Sequence, residues 1–173
     1  INRLMLYNYL YNINYNFTLA RNSVDQLIYP RQGSDISLAA QMTFPYSLVN
    51  GKDYSSLSPA ERYKWLEYYK INFRAAWYFN LFDDLVVSTR ARFGFLGQYN
   101  SKVGYSPFER FYLGGDGLTG YQLDGRELVA LRGYDESSLS PDGGGMVFDK
   151  YTMELRYPIT LNESTILFAT PIL

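Results

Sequence analysis

Five stretches of the sequence alternate between apolar and polar residues over long runs, and this period of two constrains the fold more than any other feature. Successive side chains of a β-strand point to opposite faces of the sheet, so each stretch predicts a strand with one apolar face. A sixth strand is predicted to begin near Thr165. The chain is therefore expected to be all-β. The five stretches are residues 13–19, 36–44, 71–81, 85–95 and 147–157.

The predicted strands are long, and their apolar faces carry almost no charge. Several run to about ten residues, the length that a tilted strand needs to cross a bilayer, whereas globular strands usually have about five or six. A Lys or Arg facing lipid at mid-membrane costs about 2–4 kcal/mol. On these faces the sequence places only Asp149, near one end. The pattern favours transmembrane strands, although a soluble β-sandwich would show the same alternation. The opposite faces carry Arg74, Arg90, Arg92, Lys150, Glu154 and Arg156.

Short and long connections follow one another along the chain. Tight turns are predicted at Phe82-Asp83-Asp84 and at residues 160–164, and long connections at residues 45–64 and 100–146. Outer-membrane barrels have short turns on the periplasmic side and long loops outside. Residues 23–33 are then a further periplasmic turn, which a proline and a glycine near its end would bend.

The first long connection contains two local signals. Ser58-Pro59-Ala60-Glu61 is a capping-box pattern with proline at the first helical position, so one or two helical turns are expected after Ser58. An aromatic cluster follows where the next strand enters the membrane, and it is typical of an interfacial girdle. Packing of this segment on the rim of a soluble sandwich is the alternative. The cluster comprises Tyr63, Trp65, Tyr68 and Tyr69.

The number of strands predicts that the sheet is part of something larger. About six strands are fewer than the eight of the smallest membrane barrels, and an open sheet would leave two unpaired edges in lipid. We therefore expect one domain over residues 1–173 that is an incomplete antiparallel transmembrane β-barrel. The sequence contains no run of about 18 apolar residues, so a membrane-spanning helix is not expected. No signal peptide is recognised at Ile1.

Composition argues against several classes of function. The sequence has no Cys and no His, and its formal net charge is −1, so thiol chemistry, the usual zinc sites and nucleic-acid binding are not expected. The run from Gly115 to Gly120 spells G-x-G-x-x-G, but no helical period follows it, so nucleotide binding is not expected either. The acidic pairs Asp83-Asp84 and Asp135-Glu136 are interpreted as solvated turns. We expect no enzyme, no metal and no cofactor.

The connection between the fourth and fifth long strands is the most informative stretch. It is too long for a passive link, since structureless loops beyond about 15 residues are usually functional or disordered. It is also rich in apolar residues, such as Phe108, Phe111, Leu123 and Val129, and must therefore pack on a surface. In a barrel the available surface is the lumen. Residues 100–146 are thus predicted to be an inward-folding extracellular loop.

Four motifs stand out in this region: Pro107-Phe108-Glu109-Arg110-Phe111-Tyr112-Leu113-Gly114-Gly115, Leu131-Arg132-Gly133-Tyr134, Gly143-Gly144-Gly145, and Met153-Glu154-Leu155-Arg156-Tyr157-Pro158. Together they resemble the BamA family of outer-membrane assembly factors. The turn Tyr29-Pro30-Arg31-Gln32-Gly33-Ser34 also resembles the family's turn before a barrel strand. In the family's order the chain would run from about the eighth strand into about the thirteenth of a probable sixteen.

The resemblance implies roles for particular residues of the loop. Arg132 would contact an acidic residue on the lumen wall, and Glu154 holds the matching position on the next strand. In the motif that begins at Leu131, Gly133 would let the loop backbone approach the wall, and Tyr134 would anchor the loop by packing. Gly114 and Gly115 would serve a compact loop with left-handed backbone conformations. In the alternative, Arg132 is a solvated loop residue and Glu154 pairs with Lys150 or Arg156.

The resemblance also implies a function and its partners. The family folds and inserts β-barrel proteins into the Gram-negative outer membrane, so the expected partners are outer-membrane lipids, unfolded barrel clients and accessory lipoproteins. A related outer-membrane exporter of one passenger protein would share the motifs and remains an alternative. A porin-like channel and a soluble sugar-binding sandwich are alternatives from other classes.

Overall fold

The computed structural model describes residues 10–117, 126–162 and 165–170, and within them the chain is mostly β-strand. The all-β prediction is confirmed. Each of the six predicted strands is present. The strands are β1 (Asn14–Asn22), β2 (Gly33–Thr43), β3 (Tyr69–Phe82), β4 (Leu85–Gly97), β5 (Phe111–Leu113), β6 (Glu127–Val129), β7 (Val147–Asn162) and β8 (Thr165–Ala169), and the helices are α1 (Tyr46–Val49) and α2 (Pro59–Arg62).

Six of the strands form one antiparallel sheet in the order β1-β2-β3-β4-β7-β8. The order follows the sequence apart from the insertion of β5 and β6, as expected for strands joined by successive hairpins. In the described residues the sheet is not closed. The β7–β8 ladder has a register shift between Pro158 and Thr160, where the proline, which has no backbone N–H, is tolerated.

The short connections predicted between β3 and β4 and between β1 and β2 reverse the chain in the structure. Between β3 and β4 the chain reverses at Asp83, whose φ of 47° is positive, and the Asn80 side-chain amide donates to the Asp83 carbonyl at 3.0 Å. Between β1 and β2 the chain enters the second strand through Gly33 at φ 107°. Of the predicted turn at residues 160–164, Glu163 and Ser164 lie outside the described residues.

The chain divides into two compact units. The first comprises residues 1–17, 40–71 and 94–148, and the second comprises residues 18–39, 72–93 and 149–173. The first unit thus contains both long connections, and the second contains the short turns. Strands β1 to β4 and β7 each contribute residues to both.

The second unit has a buried tyrosine among its turns. Tyr29 is 1% exposed, and its hydroxyl lies 3.1 Å from the Arg156 carbonyl and 3.2 Å from the Asp84 carbonyl, to which it can donate. Arg31 forms an ion pair with the Asp84 carboxylate at 2.9 Å. The turn before β2 is therefore attached to the β3–β4 turn and to β7.

Many large side chains on the apolar strand faces predicted to meet lipid are exposed in the structure, whereas Ala75 on the same face of β3 is buried. Contiguous exposed apolar surface of this kind marks a protein or membrane interface, because water does not stabilise it. The exposed side chains on these faces include Ile13, Tyr15, Phe17, Leu19, Leu38, Met42, Phe79, Leu81, Phe93, Val147, Tyr151, Met153 and Tyr157.

The helix predicted after Ser58 is confirmed. The Ser58 hydroxyl accepts from the Glu61 backbone, the Glu61 carboxylate accepts from the Ser58 backbone, and Pro59 opens a single turn. The other helix, α1, was not predicted. Among the described residues neither helix is long and apolar enough to cross a membrane.

Gly33 generates the first prediction. A Cβ at Gly33 would lie 2.2 Å from the Ser23 carbonyl oxygen, whereas one at Gly51, also at positive φ, would meet no atom within 4 Å. We expect Gly33→Ala to destabilise the full-length protein by more than about 2 kcal/mol and Gly51→Ala by about 1 kcal/mol. The measurement is the midpoint of urea unfolding in detergent. Equal effects of the two substitutions would contradict the clash at Gly33.

Candidate functional site

The long loop, residues 100–146, is built around the three residues of β5. Strand β5 pairs in parallel with β6, with Phe111 opposite Glu127 and Leu113 opposite Val129. On the other side, Phe111 and Gly145 exchange two backbone hydrogen bonds of 3.0 and 2.8 Å. Backbone groups of β5 therefore have partners on both sides, which is how a long connection can be ordered without belonging to the main sheet.

The apolar residues of the loop pack on strand residues of the first unit. Phe111 and Val129 join Leu96 of β4 and Phe148 of β7 in one buried cluster. The Phe111 and Phe148 rings meet edge-on, with 4.7 Å between centroids. Leu66, Tyr68 and Phe108 complete the cluster.

A glycine on β4 makes room for these rings. A Cβ at Gly94 would lie 2.2 Å from a ring carbon of Phe148 and 2.8 Å from one of Phe111. Gly94 and Leu96 lie two residues apart and therefore on the same face of β4. The loop thus rests on the face of β4 that the sequence predicted to carry polar residues and to face the lumen.

One lysine connects the loop to the sheet electrostatically. Lys70 near the start of β3 is 4% exposed, and its ammonium group lies 3.0 Å from the Glu127 carboxylate and 3.5 Å from that of Glu109. It also lies 4.7 Å from the centroid of the Phe111 ring. Burying a charge costs several kcal/mol unless it is compensated, so these three loop contacts together offset the desolvation of one ammonium group. We call Lys70, Glu109, Phe111 and Glu127 the loop seat.

A hydrogen-bond network extends the loop seat beside Lys70. The Tyr68 hydroxyl accepts from the Gln41 amide at 2.7 Å and can donate to the Glu109 carboxylate at 3.2 Å. Burial, and then the negative charge of Glu109, raise the pKa of Tyr68. The hydroxyl therefore stays protonated and available as a donor. Asn12 lies within hydrogen-bond distance of both Tyr68 and Glu109.

The structure brings the predicted loop motif together with the predicted loop glycines. Leu131 donates its backbone N–H to the Gly115 carbonyl, and Gly115 donates to the Tyr134 carbonyl, both at 3.0 Å. Gly114 and Gly115 have positive φ, of 124° and 73°. Gly133 also has positive φ, and a Cβ added there would meet no atom within 4 Å. The close approach of Gly133 to the wall stays a prediction.

Arg132 and Glu154 lie in different units of the chain. Arg132 is exposed, and Tyr134 is 53% exposed, so in the described residues neither side chain holds the loop. Glu154 accepts from Arg90 at 3.1 Å and from Arg156 at 2.7 Å. The pairing with Arg156 is the one that the alternative interpretation named. The Arg132–Glu154 contact stays a prediction.

The prediction that the chain holds no metal was compared with the clusters of acidic side chains in the described residues. They contain no group of three His, Cys, Asp or Glu side chains able to hold a metal ion. Of the G-x-G-x-x-G run, Leu118, Thr119 and Gly120 lie outside the described residues. The expected absence of an enzymatic activity and of a cofactor stays a prediction.

Sequence reasoning missed the residues that hold the loop. Lys70, Glu109 and Glu127 are far apart in sequence, and no periodicity connects them. A signal was available in Lys70, because its parity places it on the polar face of β3 at the end next to a long connection. A lysine there requires a counter-charge, and the apolar loop contains several carboxylates.

The first long connection is fixed by a buried carboxylate. The backbone N–H and the hydroxyl of Ser47 in α1 both donate to Glu67, the hydroxyl at 2.6 Å. Glu67 is 4% exposed, and burial raises its pKa, although the two Ser47 hydrogen bonds oppose the rise. Helix α1 is thereby attached to Glu67, three residues before Lys70 of the loop seat.

Comparison with known proteins places these features in context. The Omp85 superfamily domain matches residues 11–169. Among solved structures, the chain is similar to BamA from Haemophilus ducreyi lacking POTRA domains 1–3, with a TM-score of 0.58 and 18% sequence identity over 87% of this chain. The match covers 26% of that structure. At this identity the similarity concerns the fold, and it confirms the prediction of an incomplete antiparallel barrel. No curated protein matches the sequence.

The loop seat predicts a specific effect of removing its cation. Lys70→Gln leaves the two carboxylates without the buried ammonium group, so we expect destabilisation by about 3 kcal/mol and faster proteolysis within residues 100–146 of the full-length protein. Lys102→Gln is the matched control, because Lys102 pairs at 3.5 Å with Asp53 and both side chains are more than half exposed. That pair contributes at most about 1 kcal/mol. Similar proteolysis of the two variants would contradict the loop seat.

The buried Glu67 predicts a pH dependence. The pKa of Glu67 is raised in the folded state above its ordinary value of 4.5. Glu67 therefore contributes to the free energy of unfolding at pH values below 4.5, and this contribution is lost as the pH rises through the folded-state pKa. The difference in unfolding free energy between the native protein and Glu67→Gln should therefore fall from pH 4 to about pH 7. Hydrogen bonds from Ser58 lower the pKa of exposed Glu61, so Glu61→Gln should give a difference of the opposite slope. A flat difference for Glu67→Gln would contradict the prediction.

Proposed function

The chain belongs to the Omp85 superfamily, and from this premise we propose that it is the loop-bearing segment of an assembly factor. The whole protein would fold β-barrel proteins and insert them into the bacterial outer membrane. The observation that carries the proposal is the seating of a long loop on the polar strand face, in a chain that matches the superfamily domain over residues 11–169. The similarity in fold to BamA supports it.

The segment's own task in this proposal is to brace the barrel. The loop contacts three successive strands of the sheet, through Lys70 of β3, Leu96 of β4 and Phe148 of β7, and it would fill part of the lumen. Client strands would be received elsewhere, at a sheet edge, by strand addition. A braced wall lets such an edge open while the remainder of the barrel keeps its shape.

The proposal places the strands in the outer membrane. The exposed apolar faces of the six-stranded sheet would contact lipid, and the polar faces would line the lumen. The partners would be outer-membrane lipids, unfolded barrel clients and accessory lipoproteins. The chain would act through binding and shape, without making or breaking covalent bonds.

An exporter of one passenger protein is the second candidate. The superfamily match is equally compatible with it, and both candidates need an anchored loop. A porin-like channel is less well supported, because such a channel needs a water-filled constriction, whereas Phe111 and Val129 of this loop are fully buried.

Depletion of the full-length protein in its host tests the proposal. We expect the abundance of many unrelated outer-membrane barrels to fall together, as quantified by mass spectrometry of the membrane fraction. Loss of a single secreted passenger would favour the exporter instead. Unchanged barrels together with altered permeability to small solutes would contradict the assembly function and favour a channel.

The predicted contact between Arg132 and Glu154 can be tested by a double-mutant cycle. Arg132→Gln and Glu154→Gln, alone and combined in the full-length protein, should give a coupling energy of about 1–3 kcal/mol in unfolding if the two side chains are in contact. The control is the cycle of Arg90→Gln with Glu154→Gln, for which the contact of 3.1 Å is present in the structure. Coupling in the control cycle alone would contradict the predicted contact.

A further inference from the structure

A cleft of about 460 Å³ lies within the first unit, among residues that connect β2 to β3. Four aromatic side chains line it: Phe44, Tyr46, Tyr54 and Trp65. Two lysines and one carboxylate also line it. The lining residues used below are Phe44, Tyr46, Lys52, Glu61, Lys64 and Trp65.

The aromatic side chains form one continuous series of ring contacts, of which the Phe44–Tyr46 contact is edge-on and the Tyr46–Trp65 contact is tilted. Tyr46 lies 4.9 Å from Trp65 and 5.2 Å from Phe44, measured between ring centroids. Tyr11 stacks on the other side of Trp65 at 4.6 Å. Phe44 and Trp65 remain well exposed. Amphipathic rings exposed in this way are enriched at the boundary between membrane and water, where one part of the ring is apolar and the other is wet.

The cleft continues an apolar strand face. Phe44 follows β2 directly, and its parity is that of Met42, whose exposed side chain belongs to the face expected to meet lipid. Helix α1 adds exposed Leu48 and Val49 beside it. Thus a ligand in the cleft that carried an acyl chain could lay that chain on a surface already suited to it.

The polar residues of the cleft favour a negatively charged ligand. Lys52 and Lys64 are exposed, and within the described residues neither ammonium group forms a salt bridge with a carboxylate. The carboxylate of Glu61 is already engaged, since it accepts from the Ser58 hydroxyl at 2.8 Å and from the Ser58 backbone. The Ser58 hydrogen bonds, and then the charge of Lys52, lower the pKa of Glu61, but both ammonium groups remain exposed to solvent.

We propose that this cleft binds the phosphate-bearing headgroup of a membrane lipid, with its acyl chains along the exposed side chains of Met42, Leu48 and Val49. Lysine ammonium groups near the membrane surface attract anionic headgroups, and the aromatic walls give the apolar part of the headgroup a surface. The inference rests on the proposed placement of the strands in a membrane. A soluble phosphate compound would have the same charge, but it would gain nothing from the exposed Met42 and Leu48.

The test is lipid binding to the full-length protein in nonionic detergent, measured by native mass spectrometry with phosphatidylglycerol as the probe. Lys52→Gln combined with Lys64→Gln should weaken the tightest binding by about tenfold or more, because each basic residue near an anionic headgroup contributes about a factor of five. Lys102→Gln is the control, since Lys102 is an exposed lysine outside the cleft, and it should change the affinity less than twofold.

Three results would overturn the proposal. The first is unchanged affinity in the double variant, and the second is an equal loss in Lys102→Gln, which would indicate an effect of net charge alone. The third is equally tight binding of glycerol phosphate, which would identify a site for soluble phosphate. Recovery of the same variants in the membrane fraction tests the membrane placement separately, so that its failure is distinguished from failure of the cleft.

Discussion

The desolvation penalty of a buried ammonium group must be offset by several partner groups. The arrangement of the long loop depends on the groups that surround Lys70. Its cation is surrounded by Glu127, Glu109 and the Phe111 ring, all of which belong to the loop. Removal of the loop would break both ion pairs of Lys70 and expose the apolar cluster around Phe111 to water. Because Lys70 is part of β3, the same interaction ties a connection of about 45 residues to the main sheet.

The second constraint is that strands with one apolar face can present that face only to lipid or to another protein surface. In the described residues many large side chains on the apolar faces of the long strands are exposed, so polar atoms and the loop are directed to the opposite face. Gly94 shows how closely the loop approaches that face, since any side chain there would meet the rings of Phe111 and Phe148. The wall and the loop are consequently complementary in shape as well as in charge.

The long strands and the helix after Ser58 could be predicted because local physics determines them: a period of two over about ten residues, and a capping box with proline. The three-residue strands β5 and β6 could not be predicted, since they are too short to show a period and are held by partners far away in sequence. The loop seat was missed for the same reason. The resemblance directed attention to Arg132 and Glu154, whereas the observed contacts of the loop are made by Lys70, Glu109 and Glu127.

The most direct test of this account is an experimental structure of the full-length protein in a lipid nanodisc. The account predicts that residues 111–113 lie on the lumen face of the barrel wall and that the Lys70 ammonium group forms salt bridges with Glu109 and Glu127. A loop extended into the external solvent, with Lys70 paired to groups of the wall instead, would contradict it.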